Sequence, residues 1–334
     1  MNPLNFYHLE QEPFSNAPVS RFYYDSHQNQ MALVRVERVI KEMKGLAVLI
    51  GEIGAGKTTL ARKLLDSLPE EEYEAALLVI IHSGITADWL LRRIAQQLGV
   101  EDPSPEKLRL LNQLYRRLLE IHESGRKAVV LIDEAQMLQT REIMEEFRGV
   151  LNLEIPEKKL ITFVFFGLPD IEKNLKLDPP LLQRVAVKCR LNPLTEESTR
   201  EYIHHRIRLA GGNKDIFDLD AISSIYRFSQ GSPRLINTIA DNALFEGALV
   251  QAKTINVDII ERVSKDLGLD GAYDPIEISI SHDLNTQIEA QVQVAKPSAE
   301  RAKEVTDEHN YLRDLDGDFD PEQMIDDIED TSIK

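Results

Sequence analysis

Residues 51–58 read Gly51-Glu52-Ile53-Gly54-Ala55-Gly56-Lys57-Thr58, with Thr59 following, and satisfy the pattern G-x-x-x-x-G-K-[ST] in full. Glycines let the backbone curl until successive N–H groups converge on phosphate oxygens. A lysine after the last glycine reaches the β- and γ-phosphates of a nucleotide, and the next hydroxyl ligates Mg²⁺. Average residue frequencies give this pattern about a one per cent chance of arising in a chain of this length. Residues 51–59 therefore predict a site for ATP and Mg²⁺. About 75 residues after Thr58 comes Val129-Val130-Leu131-Ile132-Asp133-Glu134. An aspartate ending a buried apolar strand beside such a loop can hold Mg²⁺, and the adjacent glutamate can polarise an attacking water. The competing reading is a helix N-cap, because acids commonly follow strands at such turns.

Further polar positions could complete the site. Arg184, between a short helical stretch and the last apolar run, could stabilise developing charge on a neighbouring subunit's γ-phosphate or be an ordinary surface arginine. Arg234 follows Gly231-Ser232-Pro233 at a helix start, where a cation opposes the local dipole and so calls for an anionic partner. Gln136 and His82 lie near strand ends and could equally cap local backbone. Tyr23 and Tyr24 precede the phosphate loop, a reasonable place for a ring to stack on adenine.

The elements that must position these residues are legible as alternation. Short apolar runs at Leu46–Ile50, Ala75–His82, Ala128–Ile132, Ile161–Phe166 and Val185–Leu191 are separated by amphipathic stretches such as Ala87–Leu98 and Pro105–His122. Strands buried on both faces read as continuous β-branched and leucine runs, with helices as crossovers. The expected fold is α/β, a parallel sheet with helices on both faces. After Pro193 only helical patterns remain: Thr195–Ala210, Leu219–Phe228, Pro233–Gly247 and Val257–Leu267. They make an all-α piece of roughly 75 residues, about half the usual size of an independent domain and better suited to a lid. The expected organisation is an N-terminal segment and helix (1–44), the α/β core (45–192), the all-α lid (193–269) and a tail (270–334).

Composition narrows the class. The chain has 334 residues, 43% of them apolar, and a net charge of −17. Eighteen of its 56 acids but only five of its 39 bases lie from Asp270 onward, so the tail carries −13 and residues 1–269 only −4. Such a tail is expected to be largely disordered in isolation. Within it, residues 276–281 and 288–294 alternate like strands, and residues 314–330 mix acids with apolar residues like a docking peptide. One cysteine, Cys189, excludes an internal disulfide framework and a cysteine-cluster zinc site. The adjacent His204 and His205 are the nearest approach to a histidine cluster and face different sides of a helix. No stretch reaches the roughly 18 apolar residues needed to span a bilayer. The first residues lack a basic stretch followed by an apolar one, so a cytoplasmic location is expected.

Taken together, these motifs resemble those of the AAA+ ATPases, and more narrowly the secretion-ATPase family of ExeA and GspA, over about residues 1–268. The resemblance rests on Pro13-Phe14 with Phe22-Tyr23-Tyr24-Asp25-Ser26-His27, the phosphate loop, Asp133-Glu134-Ala135-Gln136, Gln183-Arg184 and Gly231-Ser232-Pro233-Arg234. It implies Walker A contacts from Lys57 and Thr58, a Walker B pair in Asp133 and Glu134, an arginine finger in Arg184 and a lid (sensor 2) arginine in Arg234. The same motifs also resemble transposition regulators of the TnsC and TniB type. This chain departs from the secretion pattern at Phe166-Gly167-Leu168-Pro169, where leucine stands in place of the glutamine usual at sensor 1. Slow turnover is the expected consequence. A second departure is the acidic tail, which stands where ExeA-type members continue into a transmembrane helix and a wall-binding module.

The implied function is an ATPase that oligomerises with ATP and drives or regulates an envelope machine such as secretion, pilus assembly or polysaccharide export. A head-to-tail ring or helix follows from an arginine finger, and the tail would dock a protein partner, recruiting the chain to the inner membrane. The alternative is a DNA-binding transposition regulator. A body at −4 has no global basic footprint for it, and the local pairs Arg92-Arg93, Arg116-Arg117 and Arg206 with Arg208 read as helix-surface pairs, solvated or in subunit contacts. A third reading is a nucleotide switch with little turnover.

Overall fold

The computed structural model describes residues 2–17, 20–156 and 158–269. The strand-like pieces at 276–281 and 288–294 and the acidic stretch 314–330 lie outside the described residues.

Strands Leu46–Gly51 (β1), Tyr73–Val79 (β2), Lys127–Asp133 (β3), Ile161–Gly167 (β4) and Val185–Leu191 (β5) form one parallel sheet in the order β2-β3-β4-β1-β5. Every residue of β1 and β4 is buried, which is why both read as unbroken apolar runs. Alternate side chains serve opposite faces. Val48, Ile50, Val130, Ile132, Phe163 and Phe165 enter one core with helices Ala87–Gln97 (α3), Lys107–Glu123 (α4) and Arg141–Val150 (α5). Leu49, Val129, Leu131, Val164 and Phe166 enter the other, with His27–Lys41 (α1) and Lys57–Asp66 (α2). In α4 the buried positions are Leu110, Leu114, Leu118 and Ile121, one stripe at helical spacing.

The register sets the ends of the central strands at one edge of the sheet. Ile50 lies opposite Gly167, and Ile132 opposite Phe165, so the residues following β1, β3 and β4 emerge side by side. The edge strand β2 differs from its sequence reading of 75–82. It starts at Tyr73 and ends at Val79, because its one partner, β3, ends at Asp133. Ile80 still donates to the Asp133 carbonyl at 3.1 Å, but Ile81 is 82% exposed.

Helices Glu196–Leu209 (α6), Leu219–Ser229 (α7), Pro233–Leu249 (α8) and Val257–Asp266 (α9) follow the sheet. Thr195, Asp218 and Asn256 cap α6, α7 and α9 by accepting from the N–H groups of Ser198, Ala221 and Ile259. Proline at the first position of α8 lacks only an N–H that no helix turn would use. Their shared core includes Ile203, Ile207, Ile225, Ile239 and Ile260, joined by Tyr7, Leu9 and Phe14 from the start of the chain. The N-terminal segment thus packs with the last helices, tied by Glu10 N–H to the Ala210 carbonyl at 2.8 Å. Gly231 fastens the α7–α8 turn to the stretch after β5. Leu194 N–H donates to its carbonyl at 2.9 Å, and a Cβ on Gly231 would lie 1.9 Å from the Leu194 oxygen. Among the described residues no helix is long and apolar enough to cross a membrane.

Candidate active site

The phosphate loop leaves β1 at Gly51 and enters α2 at Lys57, with Gly56 in the left-handed conformation at the helix N-cap (φ 88°). The dipole of α2 and its free N–H groups therefore face the loop's concavity. Lys57 is buried there, its Nζ donating to the carbonyls of Gly51 at 2.9 Å and Glu52 at 3.0 Å. Burial lowers the lysine's pKa, while the carboxylates of Glu134, Asp133 and Glu52 oppose that shift.

Asp133 ends β3 beside the loop and is 1% exposed. The Thr58 hydroxyl donates to its Oδ2 at 2.6 Å, and the Glu134 N–H donates to Oδ1 at 2.9 Å. Burial raises the Asp133 pKa, and these two hydrogen bonds hold it back. The Thr58 hydroxyl and the buried Asp133 carboxylate in contact offer hard oxygen donors that would fit Mg²⁺. Glu134 adopts the left-handed conformation at φ 56°, uncommon for a side-chain-bearing residue, and lines the adjoining cavity.

Gln136 is 5% exposed and bonded on both sides of its amide. Its Nε2 donates to Glu134 Oε2 at 2.6 Å, and its Oε1 accepts from the Leu168 N–H at 3.0 Å. Of the two readings open from sequence, local capping is therefore incomplete: this side chain joins the end of β3 to the end of β4.

A cavity of about 410 Å³ runs from the phosphate loop to the C-terminal helices. Residues 53–59, Glu134 and Leu168 line one end, and Ser15, Asn16, Tyr202, Arg206 and Asn237 line the other. Tyr23, Tyr24 and Arg234 also line it. Arg234 reaches the loop because Gly54 (φ 79°) has no side chain. A Cβ there would stand 2.7 Å from Arg234 Cβ and 2.8 Å from Ser232 Oγ, and the Arg234 N–H donates to the Gly54 carbonyl at 3.3 Å. No carboxylate pairs with Arg234 among the described residues.

Two predicted positions stand apart. Arg184 does not line the cavity, and its Nη1 donates to the Arg148 carbonyl at 2.9 Å. His82 does not line it either.

Arg206 corrects the sequence reading, which grouped it with Arg208 as a helix-surface pair. It is 5% exposed. Its guanidinium donates to the carbonyls of Pro13 and Ser15 and to the Tyr202 hydroxyl, and lies over the rings of Phe22 and Tyr202. The signal was present: Tyr202, Ile203, Arg206 and Ile207 fall on one helical stripe, so Arg206 sits on the apolar face of α6. Asn237, also missed, accepts from the Tyr202 hydroxyl at 2.9 Å and donates to Asn16 Oδ1 at 3.2 Å.

The chain is similar to known proteins. The AAA domain family matches residues 40–175. General secretion pathway protein A of Aeromonas hydrophila is 35% identical over 242 residues, 72% of this chain and 44% of that protein. The chain thus carries an AAA domain and is similar to the AAA+ ATPases of the ExeA and GspA type. A potential ATP-binding protein of Staphylococcus aureus is 24% identical over 114 residues, 33% of this chain and 40% of its own. The chain thus spans less than half the length of each of these relatives. Among solved structures, the Aeropyrum pernix ORC2 protein superposes with a TM-score of 0.59 at 13% identity, covering 77% of this chain and 72% of that one. Cdc6p of Pyrobaculum aerophilum gives 0.58 at 20% identity, with 76% and 70% covered. These likenesses to solved structures establish the fold.

Proposed function

We propose that ATP occupies the cavity with its phosphates on the loop and its base toward the C-terminal helices. The observation that carries this reading is the meeting of the loop, Glu134 and Arg234 around one cavity, with Asp133 bonded to Thr58 behind the loop. Backbone N–H groups of residues 51–59 and the Lys57 ammonium hold the phosphates. Thr58 and Asp133 would hold Mg²⁺, which would supply charge neutralisation at the phosphates. Glu134 orients a water against the γ-phosphorus and takes its proton. The water oxygen bonds to phosphorus, the bridging P–O bond breaks and ADP leaves. Arg234, without a carboxylate partner, supplies positive charge from the helical side.

Arg184 serves the site of a neighbouring subunit. Its distance from the cavity of its own chain accords with that role, which requires head-to-tail assembly into a ring or helix. The assembly acts for a secretion-type envelope machine, as the likeness to general secretion pathway protein A suggests. The acidic residues after 269 engage a protein partner that draws this cytoplasmic ATPase to the inner membrane. A DNA-directed role is disfavoured by what the basic pairs do. Arg206 is buried, and Arg117 is paired with Glu74 at 3.2 Å and Glu120 at 3.1 Å.

Mixing inactive variants tests the assembly. Glu134→Gln and Arg184→Ala are each expected to lose turnover while still binding ATP. Mixed together they should regain up to about a quarter of wild-type activity, because some interfaces then carry both intact groups. No recovery on mixing, or turnover that requires duplex DNA, sinks the proposed function.

A further inference from the structure

The resemblance expects a side-chain amide at position 168, and Leu168 has none. An amide nevertheless stands at this place, delivered from the other strand. We infer that Gln136 is the positioning residue for hydrolysis: clamped to the end of β4, it holds the Glu134 carboxylate in place for the attacking water. The inference rests on the reading of Glu134 as the group that orients that water.

The orientation of the amide is settled by its neighbours. A backbone N–H can only donate, so the Gln136 atom 3.0 Å from Leu168 N is the oxygen. The NH₂ group then faces Glu134, whose carboxylate can only accept when ionised, and the 2.6 Å contact is a charge-assisted hydrogen bond. Gln136 is itself anchored before it meets Glu134. Asn174 Nδ2 donates to its carbonyl at 2.8 Å. Gly167 admits it closely, since a Cβ there would lie 3.2 Å from Gln136 Oε1 and 3.3 Å from its nitrogen. An amide fixed at the strand ends thus binds one carboxylate oxygen, Oε2, and leaves Oε1 for water.

The benefit is entropic. A glutamate beside a cavity has three side-chain torsions to fix before a water is aligned. Misplacement by about 1 Å can cost 10²-fold in rate. Local capping alone would need only one of the two contacts. Both are made, by a side chain that also joins the ends of β3 and β4.

The test uses the full chain and compares Gln136→Leu, Gln136→Glu, Leu168→Gln, the Gln136→Leu/Leu168→Gln pair and Glu134→Gln. Steady-state turnover is measured alongside affinity for a fluorescent non-hydrolysable ATP analogue. Gln136→Glu keeps an acceptor for the Leu168 N–H and loses the donor to Glu134, so it separates positioning from folding. Both single Gln136 variants are expected to lower kcat by about 10- to 100-fold, with KM and analogue affinity within about two-fold. Adding Leu168→Gln, which returns an amide from β4, should recover much of the loss. The inference is overturned if Gln136→Glu turns over like wild type while Glu134→Gln is inactive, or if affinity falls as steeply as kcat. Full activity in Glu134→Gln would instead remove the underlying reading of Glu134.

Discussion

The two ends of the cavity are built by different means. At the phosphate end the lining comes from seven consecutive residues, 53–59, joined by Glu134 just after β3. At the opposite end, Arg206 holds the carbonyls of Pro13 and Ser15, Tyr202 donates to Asn237, and Asn237 reaches Asn16. These partners are up to 221 residues apart. Backbone N–H groups recognise phosphate, and a loop that presents them needs glycines at set spacing, so the chemistry is written locally. A wall that recognises shape needs only side chains brought near one another, and any positions that the fold makes adjacent will serve.

This contrast makes graded predictions. The largest effect belongs to Lys57→Ala, which should abolish ATP turnover, a fall of at least about 10³-fold, without lowering the urea midpoint. A drop in stability would mean that the phosphate end also carries the fold. Arg206→Leu should do the reverse. It strips donors from Pro13, Ser15 and Tyr202 in a buried setting and should cost about 2–4 kcal/mol, read as a lower urea midpoint at unchanged slope. An unchanged midpoint would show that the N-terminal segment is held by its apolar contacts alone. The smallest effect is expected from Asn237→Ala, which removes the wall contacts to Tyr202 and Asn16 and should raise KM for ATP by about three- to ten-fold at constant kcat. A fall in kcat instead would mean that the two ends are coupled.

Legibility followed the same division. The central strands β1, β3 and β4 were readable because burial on both faces leaves unbroken apolar runs. The end of β2 was not, because Ile80, Ile81 and His82 continue its apolar character after its one neighbour has stopped. Arg206 was misread because charge in an isolated window signals solvent, and only the stripe of Tyr202, Ile203 and Ile207 hints otherwise. Gln136 was seen but left open between capping and function. Its two partners, Glu134 and Leu168, follow different strands, and no local pattern states which strand ends will be neighbours. The N-terminal segment reads as a lead-in to the sheet, yet Tyr7, Leu9 and Phe14 complete the helical core.

The amino-acid sequence alone determined the phosphate loop, the acidic pair at the end of β3 and the alternation that builds a parallel sheet, because glycine spacing and hydrophobic periodicity act over a few residues. Tertiary structure alone decided that Gln136 bridges Glu134 to Leu168, that Arg206 is interior, and that Arg234 meets Gly54. Each of those contacts depends on strand order and on how helices close over the sheet. Such long-range adjacency is a property of the packed chain that no short window of sequence contains.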